Sequence, residues 1–276
     1  LYTQDVPSGP GSIAQVRECA LRLMRWAKSR AVPVLVAGHV TKDGTLAGPR
    51  VMEHMVDVVL YLEGENLNSY RILRGTKNRF GSTNEVAIFQ MTGSGLEEVT
   101  DPSRVLLSQH RGDAVGSAIV PVLEGSRPLM VEIQALTSPS VLPIPRRVVN
   151  GIDYNRLLML AAVLTRRAGL GLSNQDIIVN AVGGLRVSEP ASDLAVALAI
   201  ASSLRNVALR PGTVALAEVG LSGELRTVPQ LQRRLNEALR LGFKRCLLPE
   251  SAREEVQTLR GIDTVHVPTL TMALRE

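Results

Sequence analysis

The feature that most restricts the fold is a helix running directly into a strand that is apolar on both faces. Ser12-Ile13-Ala14-Gln15 forms a capping-box pattern, with the serine placed to accept from the first turn and Gln15 reaching back. Ile13, Val16, Ala20, Met24 and Ala27 then recur at helical spacing, with Arg22 and Arg25 turned away. Residues 33–40 (PVLVAGHV) follow as a short, almost continuously apolar run. Apolarity on both faces predicts a central strand of a covered parallel sheet. Helix followed by buried strand is half of a βαβ unit, so the expected class is α/β.

The predicted strand ends in His39-Val40-Thr41-Lys42-Asp43-Gly44, and polar groups at the carboxyl end of such a strand sit where open α/β sheets bind ligands. A helix is expected from about Pro49, and residues 58–62 read as another strand. Residues 70–74 and 85–91 look like two strands joined by Gly75-Thr76-Lys77-Asn78-Arg79-Phe80-Gly81. That connector places two cations, an amide and a phenylalanine between glycines. A plain surface turn has the same composition, but such a loop can also present charges across an interface to a phosphate.

Cation usage narrows the chemistry. Of 31 Lys and Arg side chains only Lys28, Lys42, Lys77 and Lys244 are lysines, and none follows a glycine. A Walker A loop requires Gly-Lys-Ser/Thr, so this sequence contains none. Cys19 and Cys246 are too few and too distant for a four-ligand zinc cluster, and no metal site is expected. Aromatic residues make up 3% of the chain, which argues against stacking platforms for single-stranded bases. The net charge of +5 tolerates nucleic acid without demanding it. Asp5 and Pro7 interrupt any secretory signal, and the longest uncharged apolar run, residues 194–204, is too short to cross a bilayer. A cytoplasmic protein with no membrane partner is expected from two unpaired cysteines and no export signal. The start at Leu1-Tyr2-Thr3, without methionine, suggests a fragment.

Asp101-Pro102-Ser103 stops the last strand of the first half, and a polar stretch at 110–113 precedes renewed apolar alternation. The domains are therefore placed at 1–109 and 110–276. Strands are expected at 116–123 and 129–136 around a turn, then a helix from Asp153 whose face is Leu157, Leu160, Ala161, Leu164 and Ala168, with Gly169 as its stop. Strands at 177–179, 214–219 and 244–248 and helices at 194–204 and 230–241 complete an α+β or α/β layer.

The run KNRFG at 77–81 closely resembles the signature of the bacterial RadA (Sms) family of recombination and DNA-repair ATPases. SGPGSIAQVRE at 8–18, HVTKDGTLAGPRVMEHMVD at 39–57, VLYLEG at 59–64 and EVAIFQMTGSGLEEV at 85–99 resemble the same family in the same order. The resemblance implies the end of a RecA-like ATPase core from a hexameric ring that drives branch migration on DNA as a DnaB-type helicase. It implies ATP and Mg as cofactors of the whole protein, single-stranded or branched DNA as substrate, a homo-hexamer, and the recombinase RecA as partner. By position, Lys77 matches the lysine that reaches nucleotide phosphates at the neighbouring subunit's site, and Arg79 the motif arginine that contacts nucleotide or couples to DNA. His39 and Thr41 match the nucleotide-sensing segment after the sensor strand, and Lys42 the DNA-facing loop there. Ser8, Gly9 and Gly11 match an earlier loop facing the ring's channel, where backbone amides can meet phosphate without reading sequence. The family's zinc finger, Walker A lysine and Walker B aspartate have no counterpart here, so this chain alone is not expected to hydrolyse ATP or hold nucleotide tightly.

The second half resembles the proteolytic domain of Lon protease, a fold shared with ribosomal protein S5 domain 2, through VGGLRVSEPASDLAVALAIASSL at 182–204 and EVGLSGELRTVPQLQRRLNEALRLGFKRCLLP at 218–249. An active Lon pairs a serine nucleophile with a lysine base, which must be close and neutral enough to take the hydroxyl proton. Ser192 lies near the serine position, where it also suits the N-cap of the following helix, alone or with Asp193. Gln230-Leu231-Gln232 stands where the lysine belongs, and the amide of Gln232 is no base. The expectation is a degenerate peptidase site in a scaffold for hexamerisation and DNA binding, with Arg146, Arg147, Arg166, Arg167, Arg233 and Arg234 as DNA candidates. A Lon-type peptidase and a purely structural ring-former are the competing readings.

Overall fold

The computed structural model describes residues 2–38, 52–64, 70–256 and 260–276. His39, Thr41 and Lys42, and the expected helix start near Pro49, lie outside them. The chain divides into two compact units, Leu1–Glu63 with Ile72–Val86, and Gly64–Arg71 with Ala87–Glu276.

In the first unit α1 spans Ile13–Arg30. Ser12 caps it as its sequence predicts, Oγ accepting from the Gln15 amide at 3.4 Å. Gln15 does not close the reciprocal half of the box. Its Nε2 instead donates to the carbonyls of Thr3, Val6 and Ser8 at 2.8, 2.9 and 3.0 Å, while its Oε1 accepts from the Thr3 amide. Gln15 is fully buried beneath the segment it holds. Cys19 and Ala20 are the other buried positions of α1, whereas Ile13 and Trp26 are exposed.

The predicted central strand does not form over its described part. Residues 33–38 carry no strand assignment, and Leu35 is 91% exposed. An apolar run becomes a central strand only when neighbouring strands take its amides and carbonyls, and the described residues provide none there.

β1 (Val58–Glu63) and β2 (Tyr70–Asn78) pair antiparallel, with Val59 opposite Lys77 and Val58 opposite Asn78, and a register shift after Val59. Gly75 to Asn78 are therefore strand residues rather than a connector, and the turn begins at Arg79. The ladder to β1 outweighs the loop-forming tendency of the glycine.

In the second unit β3 (Val86–Thr92) and β4 (Gly95–Glu98) form a hairpin, and α2 (Pro102–Leu106) follows. The remaining strands are β5 (Ser117–Glu124), β6 (Arg127–Pro139), β7 (Arg147–Asn150), β8 (Gln175–Ala181), β9 (Thr213–Ala215), β10 (Glu218–Val219), β11 (Leu225–Arg226), β12 (Arg245–Pro249) and β13 (Asp263–Val267). Seven of these build a mixed sheet in the order β13-β12-β9-β5-β6-β8-β7. Steps β13-β12, β12-β9, β9-β5 and β8-β7 are parallel, and β5-β6 and β6-β8 antiparallel. The α/β class is thus observed. The expected strand at 214–219 is split, because Glu218 and Val219 leave the large sheet to pair with β11.

Helices α3 (Tyr154–Ala168), α4 (Asp193–Arg205), α5 (Leu231–Arg240) and α6 (Leu270–Ala273) complete the unit. Leu157, Leu160, Ala161 and Leu164 of α3 are buried as their spacing predicts, Asp153 caps it through the Arg156 amide, and Gly169 ends it at φ +70°. In α4 every residue from Asp193 to Ser202 is buried. An all-round apolar helix of this kind forms the middle of a core, with each enclosed Leu or Ile contributing about 1.5–3 kcal/mol.

Candidate functional site

The KNRFG segment takes its shape from β2. Lys77 is half-buried, and its Nζ donates to the carbonyls of Glu53 and His54 at 2.8 and 3.1 Å. Two residues on, Arg79 Nη1 meets Asp57 Oδ1 at 3.0 Å, and its amide donates to the Asp57 carbonyl. Asn78 shapes the turn between them, accepting from the Phe80 amide through Oδ1 and donating to the Ser82 carbonyl through Nδ2. Phe80 is left 81% exposed at the tip. A half-exposed pair such as Arg79 with Asp57 is worth about 0–1 kcal/mol, so the guanidinium can exchange its carboxylate for another anion at little cost.

The Ser8–Gly11 loop is the second feature of this unit. Ser8 and Ser12 share a hydroxyl hydrogen bond of 2.8 Å, and Gly11 sits at φ +81°. Gly9 and Gly11 have open space where a side chain would project, which leaves the backbone approachable. Gln15 holds this loop in place. Its signal in the sequence was the capping box, which identified the residue but assigned it the wrong partner.

In the second unit the serine turn precedes α4. Ser192 is buried, and its Oγ donates to the Glu189 carbonyl at 2.9 Å instead of capping α4. The expected side-chain cap is therefore absent, because the serine hydroxyl is turned back into its own 3-10 turn. Asp193 is also drawn elsewhere. Its carboxylate accepts from Arg156 Nε at 2.7 Å, from Arg156 Nη2, and from the Val219 amide at 3.0 Å. Burial pushes the Asp193 carboxyl up, and the Arg156 guanidinium opposes that shift.

Gln232 is exposed on α5, and no hydrogen bond links it to Ser192. Arg234, two residues on, occupies the interior. It is 1% exposed, with Nη1 and Nη2 on the Glu189 carboxylate at 2.7 and 2.6 Å, Nη1 also on the Pro121 carbonyl, and Nε on the Pro229 carbonyl. Glu189 additionally accepts from the Leu123 amide at 2.8 Å. This ion pair, which single-residue reading missed, ties the serine turn to β5 and the start of α5. Glu189 and Arg156 carried no sequence signal, since each is a lone charge whose partner is more than 35 residues away.

Burial also sorts the arginine pairs. Arg146, Arg166, Arg167 and Arg233 are exposed. Arg147 is spent on the fold, its guanidinium donating to the carbonyls of Arg146, Gln175 and Leu172. Arg234 presents no surface to a strand of DNA. Each pair containing one of these two therefore has one outward member. Among the described residues no group of three or more His, Cys, Asp or Glu side chains could hold a metal ion. No helix among them is long and apolar enough to cross a membrane.

These features define an α/β chain with a cationic turn after β2 in one unit and a buried serine turn before α4 in the other. The family model described as subunit ChlI of Mg-chelatase matches residues 155–252, from α3 to just past β12. DNA repair protein RadA of Bacillus subtilis is 48% identical over 275 residues, covering 100% of this chain and 60% of that protein. DNA repair protein RadA of Halalkalibacterium halodurans is 49% identical over 274 residues, covering 99% and 60%. That of Listeria monocytogenes is 48% identical over 276 residues, covering 100% and 60%. The chain is homologous to these RadA proteins over essentially its whole length, and it spans 60% of theirs.

Proposed function

We propose that this chain is the DNA-engaging and ring-forming portion of an ATP-dependent DNA-repair motor, comprising the end of a RecA-like core (1–109) and a non-proteolytic Lon-like domain (110–276). The motor is a homo-hexamer acting in branch migration on single-stranded or branched DNA, in the manner of a DnaB-type helicase alongside RecA. The observation that carries the reading is the KNRFG segment, which sets Lys77 and Arg79 two residues apart where β2 ends and its turn begins. Lys77 is parked on neutral carbonyls, which a phosphate replaces with stronger, charge-assisted contacts, and Arg79 on one half-exposed carboxylate that a phosphate can displace at little cost.

ATP with Mg would be held mainly by the part of the motor outside this chain, Lys77 and Arg79 supplying positive charge to the phosphates from a neighbouring subunit. Bound there, the nucleotide supplies the phosphoryl group whose charge these two residues offset. Ser8, Gly9 and Gly11 offer backbone amides to DNA phosphate, together with Lys42, while His39 and Thr41 sense the nucleotide. Arg146, Arg166, Arg167 and Arg233 extend the DNA surface onto the second unit. The peptidase alternative loses ground because Ser192 Oγ is occupied by its own turn and Gln232 cannot take a proton.

The test is DNA-stimulated ATP hydrolysis by the protein extended to the full length of its relatives. Lys77→Ala should abolish it while the ring still assembles. Turnover and DNA stimulation left intact by Lys77→Ala would overturn the assignment.

A further inference from the structure

The open face of the large sheet carries a cavity that the motor reading does not use. Its volume is about 400 Å³, within the ordinary range for small-ligand sites. Glu132 of β6 lies in its wall, 4% exposed. Glu132 Oε1 accepts from Ser117 Oγ at 2.6 Å and Gln134 Nε2 at 3.1 Å, with His110 Nδ1 3.2 Å away. Burial pushes this carboxyl up, but the hydrogen bonds from Ser117 and Gln134 and the nearby His110 ring outweigh it, so Glu132 is held below the usual range and ionised at neutral pH. Among the described residues Oε2 accepts no hydrogen bond, so one lone-pair set of a fixed carboxylate is left for a ligand.

Beside it runs a row of amides set by strand register, Gln134 opposite Asn180 and Asn180 opposite Asn150. Asn150 Nδ2 donates to Asn180 Oδ1 at 2.9 Å, which leaves the Asn180 amide nitrogen as a donor. The next row in the same register is apolar and exposed, with Leu136, Ile178 and Val148 side by side on β6, β8 and β7. A second depression over Leu136, Ile178 and Val115 shares Gln134 and Asn180 with the first, so the two adjoin along the same sheet face.

A fixed anionic acceptor, a neighbouring amide donor and a flat apolar shelf specify the ligand. The acceptor excludes phosphate. A guanidinium or ammonium has donors only and makes no use of the Asn180 amide nitrogen. The Watson–Crick edge of guanine offers N1–H and N2–H₂ donors beside the O6 acceptor, on a planar apolar body. Adenine puts its N1 acceptor where guanine has a donor, against the carboxylate. We propose that this cavity binds a guanine base, N1–H and N2–H₂ on Glu132 Oε2, O6 on the Asn180 amide, and the ring over Leu136 and Ile178. The site stands on the second unit alone and does not depend on the motor assignment.

The experiment titrates this chain with guanosine and adenosine 5′-monophosphates by calorimetry, then competes each bound nucleotide with dG-containing or dA-containing single-stranded oligonucleotides. Guanosine monophosphate should bind about tenfold tighter than adenosine monophosphate, the discrimination expected of one two-donor contact. Glu132→Gln should erase that preference. Asn180→Val, a substitution suited to a half-buried strand position, should weaken guanine binding while leaving the thermal midpoint near that of the parent, and it serves as the readout if Glu132→Gln fails to fold. Displacement by dG oligonucleotides identifies a base in DNA as occupant, and displacement by the free nucleotide alone a soluble guanine nucleotide. Equal binding of the two monophosphates, no binding of either, or a preference that survives both substitutions would sink the proposal.

Discussion

Arg233 and Arg234 are adjacent in the sequence and opposite in environment, so they should respond to the same substitution in opposite ways. Arg234→Ala leaves the Glu189 carboxylate in place with only the Leu123 amide, and strips donors from the Pro121 and Pro229 carbonyls. Removing one partner of a buried pair costs about 3–5 kcal/mol. In a unit of about 200 residues each kcal/mol lowers the midpoint by about 2–4 °C, so the expected fall is about 10 °C. Arg233 is exposed and holds only long contacts, 3.3 Å to the Ser126 carbonyl and 3.4 Å to Gln230. Arg233→Ala should therefore shift stability by less than about 0.5 kcal/mol, and lower the salt dependence of DNA binding by about one counterion. Differential scanning fluorimetry and DNA titrations at two salt concentrations read both effects. Arg234→Met combined with Glu189→Leu should recover part of the lost stability, since no charge remains alone. A midpoint for Arg234→Ala within about 2 °C of the parent, with DNA binding lost, would refute the assignment of this arginine to the core.

Three other perturbations test separate features. Gln230 precedes α5 at φ +57°, a region that disfavours side chains, so Gln230→Gly should stabilise the second unit by about 0.5–1 kcal/mol, read as a higher denaturant midpoint. Asp101 is held down to about 2 by Arg240, whose two nitrogens each lie 2.8 Å from its carboxylate. Its contribution is present above about pH 4 and lost as pH falls toward 2, so the advantage of the parent over Asp101→Asn, about 1 kcal/mol at neutral pH for this solvent-screened pair, should vanish in acid melts. Gln15→Leu removes the partners of three carbonyls, and amide exchange around residues 3–8 should accelerate while the second unit keeps its protection.

Local pattern was a good guide wherever one element suffices to satisfy itself. The face of α3, its Asp153 cap and its Gly169 stop follow from 3.6-residue spacing and from backbone groups paired within the helix. The β5–β6 hairpin is similarly local, with Glu124 opposite Arg127 across the two-residue turn. Prediction weakened where a strand depends on neighbours distant in sequence. Residues 33–38 have the composition of a central strand and no described strand to pair with. Gly75 to Asn78 have the composition of a loop, and a ladder to β1 makes them strand.

Residue order alone was enough for the α/β class and for the likeness to RadA proteins, because each is a matter of which residue types follow one another along the chain. Tertiary structure alone decided what the charges do. Arg234 and Glu189 are 45 residues apart and Arg156 and Asp193 are 37 apart. No periodicity links such pairs, and only the fold brings them within 3 Å. The same holds for the carboxylate, amides and apolar row of the open sheet face, which strand register gathers from β6, β7 and β8. Burial then separates an arginine that holds the core from its neighbour that faces solvent, since a charge is tolerated inside only when fully paired.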